Sequence, residues 1–95
     1  MDKPREYFIK IAPFEYYGAC FFAARERINA NGAPNTNYFK DIPDREAEHT
    51  FQEARENSAF IRKAYPGRKT AVLHKTELKS HSFEEAPQKP FLFNL

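Results

Sequence analysis

Apolar and polar positions alternate at the start of this chain and then shift to a longer period. Residues 6–12 place Tyr7, Ile9 and Ile11 on one side and Phe8, Lys10 and Ala12 on the other, which predicts a β-strand ended by Pro13. Over residues 14–32 the residues Phe14, Tyr17, Phe21, Ala24 and Ile28 recur at the spacing of a helix face, and Gly32 stands where a helix C-terminus is capped. That spacing predicts a helix over about residues 15–30. The run Cys20, Phe21, Phe22, Ala23 also fits a second strand: aromatic density favours the strand, alanine content and period favour the helix. Residues 31–37 read as an exposed loop, and residues 38–42 as a short edge strand closed by Pro43.

The second half carries the clearest signal. Thr50 and Glu53 have the spacing of a capping box, in which each side chain satisfies a backbone amide at the other. Ala47, Phe51, Ala54, Ser58, Ile61 and Tyr65 form one stripe, and Tyr65, Pro66 and Gly67 stop the helix. The helix starts by Thr50 at the latest, with Asp44 as an earlier alternative. Residues 69–78, containing Ala71, Val72 and Leu73, read as the next strand, buried mainly at its start. After Leu78 the composition shifts, and Pro87 and Pro90 argue against a helix or a central strand, leaving an extended tail tipped by Phe91, Leu92, Phe93 and Leu95. The pattern predicts an α+β fold: a small, mainly antiparallel sheet of two to four strands with two helices packed on one face. Residues 1–79 would form the domain and residues 80–95 the tail.

Composition sharpens this picture. With 95 residues the chain is one domain of modest size, and ten Phe and five Tyr without a Trp make its expected core aromatic. Cys20 is the only cysteine, so no intramolecular disulfide can form, and its apolar neighbours mark it as a small core residue in a reducing compartment. Charges at Asp2, Lys3, Arg5, Glu6, Lys10 and Glu15 exclude a signal-peptide apolar region, and no stretch approaches membrane-spanning length. The expectation is a soluble, cytoplasmic protein with no membrane partner.

Net charge is only +2, but the charges are unevenly spread. Residues 41–56 hold six acids against two bases, and residues 62–79 hold six bases against Glu77 alone. Acids at a helix start and bases at its end complement the macrodipole, which accounts for part of the asymmetry. The basic stretch runs on past the helix end, so Arg62, Lys63, Arg68, Lys69 and Lys75 are the expected contacts to a partner. Phe91 and Phe93 join them, because an exposed apolar tip on a soluble protein points to a binding surface.

Candidate chemistry adds little. His49, His74 and His81 lack metal-ligand spacing with one another or with Cys20, Gly18, Gly32 and Gly67 are too isolated to cradle a phosphate, and the neighbouring acids Glu84 and Glu85 read as solvated charges. The sequence therefore predicts a non-enzymatic protein with no cofactor, no metal and no catalytic residue. Thr50, Phe51, Gln52, Glu53 and Ala54, the stop at Tyr65, Pro66 and Gly67, and the strand around Val72 together resemble a plan recurrent among small bacteriophage proteins. Several of these inhibit a host machine, including anti-CRISPR proteins, and the resemblance implies a host-cytoplasm inhibitor of a larger host protein or protein–nucleic acid complex. The alternative from the residues is a nucleic-acid-binding accessory protein using the basic surface over residues 62–79, with phosphate contacts and a stacking Tyr65 or His74. Homodimerisation through a sheet edge or the aromatic tail is left open by the sequence.

Overall fold

A computed structural model of the protein describes residues 3–12 and 20–83. Four strands, β1 (Tyr7–Ile11), β2 (Phe21–Ala23), β3 (Phe39–Lys40) and β4 (Thr70–His74), form one antiparallel sheet in the order β3-β2-β1-β4. The alternating segment is thus a central strand. On one side it pairs with the whole of β4, Ile9 opposite Val72 and Ile11 opposite Thr70. On the other side β2 takes its C-terminal end, and an isolated bridge to His49 takes Tyr7.

Facing residues of an antiparallel pair lie on the same side of the sheet, so Ile9, Ile11 and Val72 present one apolar surface. The single helix among the described residues, α1 (Phe51–Ala64), packs there through Ala54 and Ile61, and Ala23, Ala24 and Tyr38 complete the core. Its start follows the capping box: Thr50 Oγ1 accepts from the Glu53 amide at 3.0 Å, and Glu53 Oε1 accepts from the Thr50 amide at 2.8 Å. Arg5 then grips the same carboxylate with two N–H groups, both at 3.0 Å, and that fork holds the Glu53 carboxyl down at about 2. The buried stripe is narrower than the sequence implied. Ala54, Ser58 and Ile61 are buried with Asn57, whereas Phe51 and Tyr65 at the two ends are exposed and lean on the rings of Tyr7 and Phe39.

The expectation of two helices on one face is corrected. Phe21–Ala23 is strand β2, and residues 24–30 run as irregular chain; the part of the expected helix over residues 13–19 lies outside the described residues. Pairing explains the outcome. A helix at this place would leave the second edge of β1 open, whereas β2 bonds to both β1 and β3 and buries Ala23 completely. Gly32 caps a turn and not a helix, at φ 89°, with its amide bonded to the Asn29 carbonyl at 2.9 Å. Cys20, expected in the core, is only half-buried.

The opposite face of the sheet carries Phe8, Lys10 and Leu73. Here the chain beyond Leu78 folds back: Lys10 Nζ donates to the His81 carbonyl at 3.0 Å and lies 5.4 Å from the Phe83 ring centre. The first residues of the segment read as a tail therefore rest on β1. Residues 84–95, with Phe91 and Phe93, lie outside the described residues. No helix among the described residues is long and apolar enough to cross a membrane.

Candidate partner-binding groove

The most buried polar group lies under the start of α1. His49 is fully buried, and its Nδ1 lies 2.7 Å from the Ala47 carbonyl, an acceptor, so Nδ1 carries the proton. Nε2 is then the acceptor for Asn57 Nδ2 at 3.0 Å. Asn57 also donates to the Arg25 carbonyl at 3.2 Å and accepts from the Tyr38 hydroxyl at 3.3 Å. Burial pushes the imidazole below its usual range and the Tyr38 hydroxyl up to about 12, so both rings stay neutral. Arg25 closes the cluster by donating to the carbonyls of Arg45 and Glu48 at 3.2 and 2.7 Å. Every hydrogen-bonding group of the His49 and Asn57 side chains is used internally, so this cluster fastens residues 24–49 to α1 and offers nothing to a substrate.

His74 stands in a second polar chain. Its Nε2 lies 3.1 Å from Glu6 Oε1, and its Nδ1 faces both the Thr76 hydroxyl at 2.9 Å and the Thr76 amide at 3.2 Å. An acid, an imidazole and a hydroxyl in that order resemble a nucleophile relay. The same Nδ1 also caps the 3-10 turn Lys75–Glu77, whose Glu77 carboxylate accepts from the His74 amide at 2.8 Å. Thr76 is exposed and lines neither of the depressions described next. Among the described residues no group of three or more His, Cys, Asp and Glu side chains could hold a metal ion.

Among the described residues, two of the larger depressions differ in what they offer a partner. One, of about 540 Å³, is lined by Ala24, Arg25, Glu26, Ile28, Asn35 and Glu46 among others. Its acids Glu26 and Glu46 outnumber its one cation, and that arginine is occupied by backbone carbonyls. The other, of about 820 Å³, runs between α1 and strand β4 and is lined by Lys3, Phe51, Gln52, Arg55, Glu56, Ser58, Ala59, Arg62 and Val72. Positions 51, 55, 58, 59 and 62 share one helix face by the i, i+4, i+7 rule. Three cations face one acid here, and Lys3, Arg55 and Arg62 make no ion pair among the described residues. Arg55 hangs over the Phe51 ring at 5.9 Å, and Arg62 reaches the Thr70 hydroxyl at 3.4 Å. The result is a cationic groove with a half-exposed aromatic ring at one end.

The sequence-predicted contacts do not form one patch. Arg62 lines the groove, and Lys63 follows it in the last turn of α1. Arg68 and Lys69 lie in the connection to β4. Lys75 lies beyond the other end of that strand, about 20 Å from Lys69 at the rise of an extended chain, and is paired with Glu6 at 3.6 Å. Lys3 and Arg55, which also line this groove, are not among the contacts expected from the sequence. Arg55 was assigned to the acidic segment, although its spacing of seven from Arg62 puts both on one helix face; no local signal could have brought Lys3 alongside.

Comparison of the chain with known protein families, with characterised proteins and with solved structures returns no match, so the reading of this groove rests on the chain's own residues.

Proposed function

We propose that this chain is a non-enzymatic binding protein that inhibits or modulates a larger host protein or protein–nucleic acid complex by occupying one of its surfaces. The observation that carries this reading is the groove between α1 and β4, where Lys3, Arg55 and Arg62 have no carboxylate partner among the described residues and stand beside the exposed Phe51. Three cations elsewhere on the described surface are matched: Arg5 with Glu53, Lys40 with Asp44 and Glu46, Lys75 with Glu6. Unmatched cations around an aromatic ring suit an acidic patch that brings one apolar anchor, a combination typical of interface hot spots. The resemblance to small bacteriophage inhibitors agrees with a protein that works by steric occupation in the host cytoplasm.

The test is joint charge reversal, Arg55→Glu with Arg62→Glu. Both residues are exposed, so the fold should persist with an unchanged circular dichroism spectrum. Immobilised wild-type protein should retain a defined macromolecule from nuclease-treated host lysate at fixed stoichiometry. The variant should retain it at least about tenfold less, a loss of about 1.4 kcal/mol. Equal retention by the variant would overturn the assignment of the groove. Retention that disappears on nuclease treatment, and falls steeply with salt, would assign the surface to nucleic acid instead.

A further inference from the structure

The groove is bordered by a sheet edge that is open among the described residues. β4 is the outermost strand, paired only with β1 among the described residues. Backbone bonds from Ala12 to the Lys69 carbonyl at 2.9 Å and from Lys75 to the Glu6 carbonyl at 2.8 Å set the phase of that ladder. With residues 69, 71, 73 and 75 bonding to β1, the amides and carbonyls of Thr70, Val72 and His74 point the other way. The His74 amide is taken by Glu77. Those of Thr70 and Val72 make no hydrogen bond among the described residues, and Val72 lines the groove. Unpaired backbone groups at a sheet edge are a template for another strand.

We infer that β4 accepts an extended acidic peptide segment of the partner as a fifth strand, seated in the groove with its carboxylates on Lys3, Arg55 and Arg62. This deepens the proposed function and rests on it. The spacing fits: Arg55 and Arg62 are about 10.5 Å apart along the helix axis, and side chains on one face of a strand recur about every 6.6 Å. Acids two or four positions apart therefore meet the two guanidinium groups within the reach of an arginine side chain. An apolar residue two positions beyond the acid on Arg55 would share its face and lie toward Phe51 at the end of the groove. Charge also selects the occupant. Pairing of β4 with β4 of a second copy would align two sets of the same cations along one seam, a like-charge contact that natural edges use to prevent such association.

The probe is a capped ten-residue peptide of alternating glutamate and valine, titrated against the full chain at low salt by calorimetry. Two further peptides carry N-methyl groups on every glutamate or on every valine, and a fourth replaces glutamate by lysine. Because successive amides of a strand point to opposite edges, docking through a single edge predicts that one methylated peptide binds at least tenfold more weakly while the other keeps its affinity. The lysine peptide should not bind. Equal binding by both methylated peptides would overturn strand addition while leaving a purely ionic groove, and the proposed function, intact. Binding that is unchanged in the Arg55→Glu, Arg62→Glu variant would overturn both. No binding of the glutamate peptide at millimolar concentration, or dimerisation of the chain through β4 in sedimentation, would overturn the inference.

Discussion

Replacing Asn57 by leucine tests whether the buried polar cluster holds the two halves of the chain together. The side chain is nearly isosteric, so little volume changes, but three hydrogen bonds vanish at once: from the Tyr38 hydroxyl, to His49 Nε2 and to the Arg25 carbonyl. The Arg25 carbonyl lies at a half-buried residue and can recruit water. The other two cannot, because Tyr38 is 8% exposed and His49 is fully buried. An orphaned buried polar group costs about 1–3 kcal/mol, so the expected loss is about 2–6 kcal/mol. Domains of this size have about 5–14 kcal/mol of stability in total, so Asn57→Leu should remove a large fraction of it. The assay is urea unfolding of wild type, Asn57→Leu, Tyr38→Phe and the double variant. Tyr38→Phe should cost about 1 kcal/mol in the wild type. It should cost less than that, or nothing, in the Asn57→Leu background, where the hydroxyl faces the methyls of the introduced leucine. Identical costs of Tyr38→Phe in both backgrounds, or a loss below about 1 kcal/mol for Asn57→Leu, would refute the network.

Acid should unfold the protein in two stages. Burial depresses the His49 imidazole, so the folded chain refuses a proton that the unfolded chain takes up near its usual value of 6.5; stability is full above that pH and falls below it. A second loss begins below 4.5, as Glu53, held at about 2 by the Arg5 fork, gives up its advantage over the unfolded carboxyl. Thermal melts from pH 8 to 3 measure both, and His49→Gln should flatten the limb that begins below 6.5; an unchanged slope there would remove His49 as its source. Ile61→Ala empties a fully buried position against the sheet and should cost about 2–5 kcal/mol, whereas Phe51→Ala at a half-exposed ring should cost about 1 kcal/mol. Melting temperature reads the contrast at about 4–8 °C per kcal/mol, and comparable losses would contradict the burial pattern.

Local chemistry was legible in the sequence, and long-range pairing was not. The Thr50 and Glu53 box marked the later of two possible starts of α1, and the helix begins there, because both bonds of that cap lie within three positions. β1 was legible from alternation, and β4 from an apolar run bounded by breakers, although the strand expected over residues 69–78 stops at His74, whose side chain caps the 3-10 turn Lys75–Glu77. β2 was misassigned because Phe21, Ala24 and Ile28 do repeat at a helical spacing; what decides the matter is the open edge of β1, contributed from elsewhere in the chain. The His49 cluster depends on distant segments meeting and has no local signature. For the proposed binding surface, the sequence singled out Arg62 and the basic excess but ordered the cations along the chain. The fold instead sends Lys75 to the far end of β4 and brings Arg55 and Lys3 to the groove.

The most direct measurement of the central claim is amide hydrogen exchange of the chain, free and in complex with the proposed macromolecular partner. Binding in the groove predicts new protection at Val72 and Thr70, whose amides have no partner among the described residues, together with the exposed face of α1 around Arg55 and Ala59. Protection confined to residues 24–46, with Val72 exchanging as fast in the complex as alone, would contradict it.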